Sequence, residues 1–214
     1  MRLTALLFVF LLSFSCSNEK ELQLAKITHS EITKITDVSP AYIFYNPSEP
    51  DSLELNRKNL ISTTNWLVNI DKRLTLKQLI STLMFLQEKK ENASHKNKSS
   101  KNYFTGFNPK DKTLRFLDFT TTRFHLDTTA ESYKKDHNPE AEIINISENT
   151  IQISNKNYTE SELINALNSS TEKDLKYILN FHSRLTFQEY LKFKDALLSV
   201  KHSSVFIDQN EFIY

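Results

Sequence analysis

The chain has 214 residues, 27 basic against 26 acidic side chains, a single glycine and a single cysteine. So even a charge balance leaves no basic surface suited to nucleic acid. One glycine cannot build a phosphate-cradling glycine loop or a Gly-x-Ser-x-Gly nucleophile turn, and one cysteine cannot form an internal disulfide.

Residues 1–15 read as an export signal. Arg2 precedes an apolar run over residues 3–12, and small polar residues come after it. The run is too short to span a membrane, which takes about 20 apolar residues, and no later segment reaches that length. A lone cysteine directly after such a signal calls for an explanation. The stretch Leu12-Ser13-Phe14-Ser15-Cys16 resembles a bacterial lipobox, whose cysteine is lipidated and becomes the new N-terminus. It departs from that pattern at Ser13, where an aliphatic residue is usual. Ordinary signal-peptidase cleavage is the alternative, since Ser13 and Ser15 also supply small residues. Either route starts the working chain at Cys16 and removes Arg2 as the only charged residue, which balances the charge. The resemblance implies a lipid-anchored protein of the bacterial cell envelope, with Ser17 after the cysteine pointing to the outer membrane. Residues 16–40 are expected to form the tether.

An internal repeat organises the rest of the chain. The segment 67–80 matches 178–191 with a constant offset of 111 and no gap. Asn69/Asn180, Arg73/Arg184, Leu74/Leu185 and Thr75/Thr186 are identical, and six further positions exchange one apolar residue for another. In chain order, 42–45 reads as a strand, 48–51 as a helix start with Pro50 in the first turn, and 66–70 as a strand. Thr75 with Gln78 forms a capping box, and the helix after it runs to about Lys89. Residues 91–111, rich in Lys, Asn and Ser, are expected as a solvated loop, and 114–119 as a closing strand. A linker covers 122–140. The second half begins with a hairpin of 142–146 and 150–154, and Thr159 with Glu162 caps a helix through Leu167. A strand over 177–181, a helix from the capping box Thr186/Glu189 to about Val200, and a closing strand at 205–207 complete it. The fold class is therefore α/β (α+β): two tandem β-α-β-α-β modules, 41–121 and 141–214.

The second half, with its polar-turned hairpin, the helix opened by Asn157-Tyr158-Thr159-Glu160-Ser161-Glu162-Leu163 and Arg184-Leu185-Thr186-Phe187 entering the last helix, resembles the periplasmic domain of the ExbD/TolR family. The likeness covers about 70 residues, and residues 41–120 more faintly through the repeat. The family's members are subunits of proton-driven motors with one long transmembrane helix carrying an essential acid, and their periplasmic domains dimerise and touch partners. This chain departs sharply: its apolar segment is short and has no acid, so no proton path can be built from it. The resemblance implies a duplicated periplasmic module on a lipid tether, two copies mimicking the family dimer, that binds another envelope protein without being an enzyme.

Sites that carry chemistry are sparse. Six histidines show no metal-ligand spacing, and nothing calls for a cofactor. Asp71 and His182 are equivalent positions after the repeated strands and would form an acid/base pair if a twofold axis joined them; exposed turn residues are the plainer reading. Asp118 and Asp208, matched through the closing strands, complete the set an enzyme would draw on. Tyr103, Phe104 and Phe107, in the expected loop, are candidate anchors for a protein partner, a small molecule or a glycan. A loop folded back on its own domain is the other reading.

Overall fold

A computed structural model describes residues 20–171 and 173–214, so the expected export signal and Cys16 lie outside the described residues. The first module contains β1 (Ala25–Lys26), β2 (Val38–Tyr45), β3 (Leu53–Asn56), β4 (Asn65–Ile70), α1 (Leu76–Glu91), β5 (Asn102–Asn108) and β6 (Thr113–Asp118). Its sheet runs β6-β5-β4-β2-β3, with β2, β4 and β5 parallel, β3 and β6 antiparallel at the edges, and β1 beside β5 beyond the end of β4. The second contains β7 (Arg123–His125), α2 (Ala130–His137), β8 (Glu142–Ile146), β9 (Ile151–Ile153), β10 (Lys156–Tyr158), α3 (Glu160–Ser169), β11 (Leu175–Phe181), α4 (Phe187–Leu197) and β12 (Val205–Ile213). Its sheet runs β10-β9-β8-β11-β12-β7. Among the described residues, two six-stranded mixed sheets and four helices make the α+β class in two modules.

The repeated segment folds as its pattern dictates. On β4, Trp66, Val68 and Ile70 are buried and alternate with half-buried residues, the period of a strand with one face on a core. On α1 the buried residues Leu76, Leu79, Ile80, Leu83 and Leu86 follow helical spacing. Thr186 closes its capping box on α4 in both directions: Glu189 Oε2 accepts from the Thr186 amide at 2.7 Å, and the Glu189 amide donates to Thr186 Oγ1 at 3.3 Å. Thr159 and Glu162 do the same for α3.

Five expectations are corrected. Residues 48–51 do not open a helix. Pro50–Ser52 is a single 3-10 turn whose Asp51 and Ser52 hold φ of 55° and 53°, a left-handed geometry that ends helical winding and feeds β3 into a hairpin with β2. The segment 91–111 is a solvated loop only over 92–101: residues 102–108 form β5, the strand that β1, β4 and β6 all pair with, and a turn over 109–112 joins it to β6. β5, not 114–119, is therefore the counterpart of β12, since both run parallel to the repeated strand. The linker 122–140 holds β7, the edge of the second sheet, and α2, which covers one face of it. Finally, the expected tether over 16–40 gives way, from Lys20 onward, to a strap built into the fold. Ala25 and Lys26 pair with Gly106 and Phe107. The sole glycine is what lets the strap in, because a Cβ on Gly106 would stand 2.6 Å from the Ile27 side chain.

Candidate functional site

The repeated Arg-Leu-Thr turns meet each other. Thr75 and Thr186 form an antiparallel bridge. The Leu76 amide donates to Leu185 O at 2.8 Å, and the Phe187 amide to Leu74 O at 2.7 Å, one bond made twice by residues 111 apart. Outside them the Lys77 amide donates to Ser183 O at 2.8 Å and the Gln188 amide to Lys72 O at 3.2 Å. These are the first two amides of α1 and α4, which no helix can satisfy internally. Each module thus caps the other's helix about a local twofold axis, and one apolar core runs through both modules.

The strap seals one side of this seam. Asp195 of α4, 1% exposed, accepts from the amides of Thr28 (2.6 Å), His29 (2.9 Å) and Ser30 (2.7 Å) and meets His29 Nδ1 at 3.1 Å. Gln188 brackets Lys26, accepting from its amide at 2.8 Å and donating to its carbonyl at 3.0 Å. Beyond, the Phe116 amide donates to Ile32 O at 3.0 Å and Ser30 Oγ to Phe116 O at 2.6 Å, so the strap lines the free edge of β6. Between strap, β6, α4 and β12 opens a cleft of about 560 Å³, walled by Ile32, Phe116, Leu117, Leu197, Leu198 and Ile207. Its polar groups include Lys194, Asp118 and His29. Lys194 donates to Glu211, which is fully buried and also accepts from the Tyr190 hydroxyl at 2.8 Å. Burial, and then the Glu211 charge, push the Tyr190 hydroxyl well above its ordinary range.

The residues singled out in the sequence are otherwise placed. Phe104 is fully buried and anchors a partner within the chain: it stacks on Phe119 at 3.8 Å and meets Phe187 and Tyr190 of α4 edge-on at 5.3 and 6.1 Å. Tyr103 is 9% exposed and Phe107 half-buried on β5, so these three do not form an exposed aromatic loop. Asp71 and His182 are not brought together as a pair. Asp71 is fully buried and closes its own turn, accepting from Arg73 Nε at 2.8 Å and Nη2 at 2.7 Å, from the Arg73 amide at 3.0 Å and from the Gln23 amide at 3.3 Å. Burial works to raise its carboxyl pKa, but these donors outweigh it and hold the group below the usual range. His182 accepts from the Arg184 amide at 3.2 Å, the same turn built with a different side chain, and its ring meets Tyr214 edge-on. Asp118 and Asp208 sit on non-equivalent strands. Asp118 accepts from Lys101 at 2.9 Å and from Thr120; Asp208 accepts from the Asn210 amide at 2.8 Å, where β12 bulges.

Sequence reasoning missed Asp195, Glu211 and Lys194. A signal was present for two of them: carrying the repeat's offset of 111 into the helices sets Lys194 and Asp195 where α1 has the apolar Leu83 and Met84. What these charges do depends on the strap and on the β12 bulge, neither of which a helical pattern reveals. Among the described residues no group of three His, Cys, Asp or Glu side chains is arranged to hold a metal ion, and no helix is long and apolar enough to cross a membrane. Comparison with protein-family models, with curated proteins and with solved structures finds no match to this chain.

Proposed function

We infer that the chain is a non-enzymatic, lipid-anchored protein of the bacterial envelope whose two ExbD/TolR-like modules form one body that holds another envelope protein. The observation that carries this reading is where the polar chemistry goes. Asp71, Asp118, Asp208 and Asp195 are each engaged in closing a turn or fastening the strap, and Glu211 is neutralised by Lys194. The open feature at the module seam is instead a mostly apolar cleft with exposed Leu198 and Ile32 at its lip, the composition of a protein contact rather than of an acid/base site. The Cys16 motif supports the anchor, and the outer membrane is the proposed location. Fractionation tests the anchor: Cys16→Ala protein is expected to leave the membrane fraction, and persistence there at high salt would exclude the tether. A second reading, a small-molecule binder, is favoured only by the size of the cleft, which falls within the range of about 300–1,000 Å³ usual for ligand sites.

A further inference from the structure

The identical residues Asn69 and Asn180 occupy equivalent places on β4 and β11 and are used differently. Asn69 Nδ2 donates to main-chain carbonyls, Ala41 O at 3.0 Å and Leu67 O at 3.3 Å. Asn180, 6% exposed, turns its amide to a side chain instead, donating to Asn145 Oδ1 at 2.6 Å. Asn145 is its register partner on β8, and Gln152 is the register partner of Asn145 on β9. Pairing in register keeps side chains on one face, so three amide groups stand in a row across three neighbouring strands. Asn180 Oδ1, Asn145 Nδ2 and the whole Gln152 amide make no hydrogen bond among the described residues.

The row continues into Phe212 of β12 and His125 of β7, whose rings stack at 4.8 Å. Helix α2 covers that aromatic end through Ala130 and Tyr133, which pack with Phe212 and Ile178. It leaves the amide end uncovered. Above the amides lies a pocket of about 400 Å³ bordered by Leu126, Tyr214 and the turn leading into α2, with Asp127 and Glu131 on its wall. No Lys or Arg lines it among the described residues. These unpaired amide atoms are not sealed from solvent but open into the pocket, where a ligand group that both donates and accepts can replace water. Hydroxyls qualify, and the two carboxylates can accept from further hydroxyls while repelling an anion. The half-exposed Tyr214 ring gives a flat surface for the carbon face of a ring.

We propose that this pocket of the second module binds a neutral saccharide through the Gln152-Asn145-Asn180 amide row. The site is separate from the apolar cleft and independent of the lipid anchor, so either can fail without the other. The test is a titration of the full chain, held in a detergent without a sugar headgroup, with cellobiose and with N,N′-diacetylchitobiose, followed by amide resonances in NMR. Saturable shifts of the side-chain NH2 pairs of Asn145, Gln152 and Asn180 are expected with at least one of the two. Gln152→Ala is expected to weaken that binding by about tenfold through the lost hydrogen bonds. Because Gln152 is half-exposed and bonded to nothing, the variant keeps its fold. Asn69→Ala, at the equivalent position of the other module, is expected to leave the affinity unchanged. No shift with either sugar, or equal affinity in Gln152→Ala, overturns the proposal. Glucuronate binding as tightly as the neutral sugars overturns it as well.

Discussion

Removing the Asp195 carboxylate should release the strap. In Asp195→Ala three backbone amides lose their acceptor at once. Thr28 and His29 are exposed enough to recover water, whereas Ser30 is 4% exposed and its amide is left unsatisfied. A hydrogen bond to a charged group contributes about 1.5–3 kcal/mol, and an orphaned buried donor costs about 1–3 kcal/mol. With the two outer bonds discounted for rehydration, the expected loss is about 2–4 kcal/mol. In a chain of this size that lowers Tm by about 5–15 °C. Asp195→Asn retains one acceptor oxygen but turns an amide donor toward other donors, so it should lose nearly as much. Urea unfolding gives the stability change, and hydrogen exchange at residues 28–30 locates it. A loss below about 0.5 kcal/mol, the level of an ordinary surface change, with exchange at these amides unaltered, would refute this role for the strap.

Phe104→Ala should cost about 3–5 kcal/mol, as for a large buried aromatic, because Phe104 packs against Phe119, Phe187 and Tyr190; denaturant melts that shift little would return it to the status of a loop anchor. Lys194→Met should cost about 3–5 kcal/mol by stranding the buried Glu211 charge. Adding Glu211→Gln should recover much of that loss, and a double variant as unstable as the single one would contradict it. Lys90 donates to Lys101 O and Asn102 Oδ1 at 2.9 Å each, and burial lowers its pKa to about 8 against some opposition from Asp118. The unfolded chain therefore holds the Lys90 proton to higher pH than the folded chain. Stability should rise from about pH 8 to about 10.5 by about 3 kcal/mol from this group, and the wild-type rise should exceed that of Lys90→Met. Parallel pH curves for the two proteins would rule the shift out.

The repeated strand, capping box and helix were legible because their causes are local: alternation, helical spacing and a Thr with Gln or Glu three residues on. That the two Arg-Leu-Thr turns cap each other was not legible, since the first amides of a helix look equally orphaned whichever acceptor they find. β5 escaped because its neighbours Lys101 and Pro109 and the polar run before it resemble a loop, and because burial on both faces hides the alternation. The strap escaped for a different reason. Its backbone donors are satisfied by the Asp195 carboxylate, 165 residues beyond Ser30, a contact that no periodicity records. Of the candidate site, the aromatics of β5 read either as anchors for an outside partner or as a loop folded back on its own domain, and neither reading placed Phe104 against the other module. The amide row is readable only once register sets Gln152, Asn145 and Asn180 side by side.

The most direct test of the partner-binding reading is site-specific photo-crosslinking in the native envelope. A crosslinking residue is placed at Leu198, at the lip of the cleft and 53% exposed, and, for comparison, at Asn155 in the turn between β9 and β10, on the edge of the second sheet remote from β12. Partner binding at the cleft predicts one discrete adduct with an envelope protein from Leu198 and none of that adduct from Asn155. The same adduct from both positions, or none from Leu198, would contradict it.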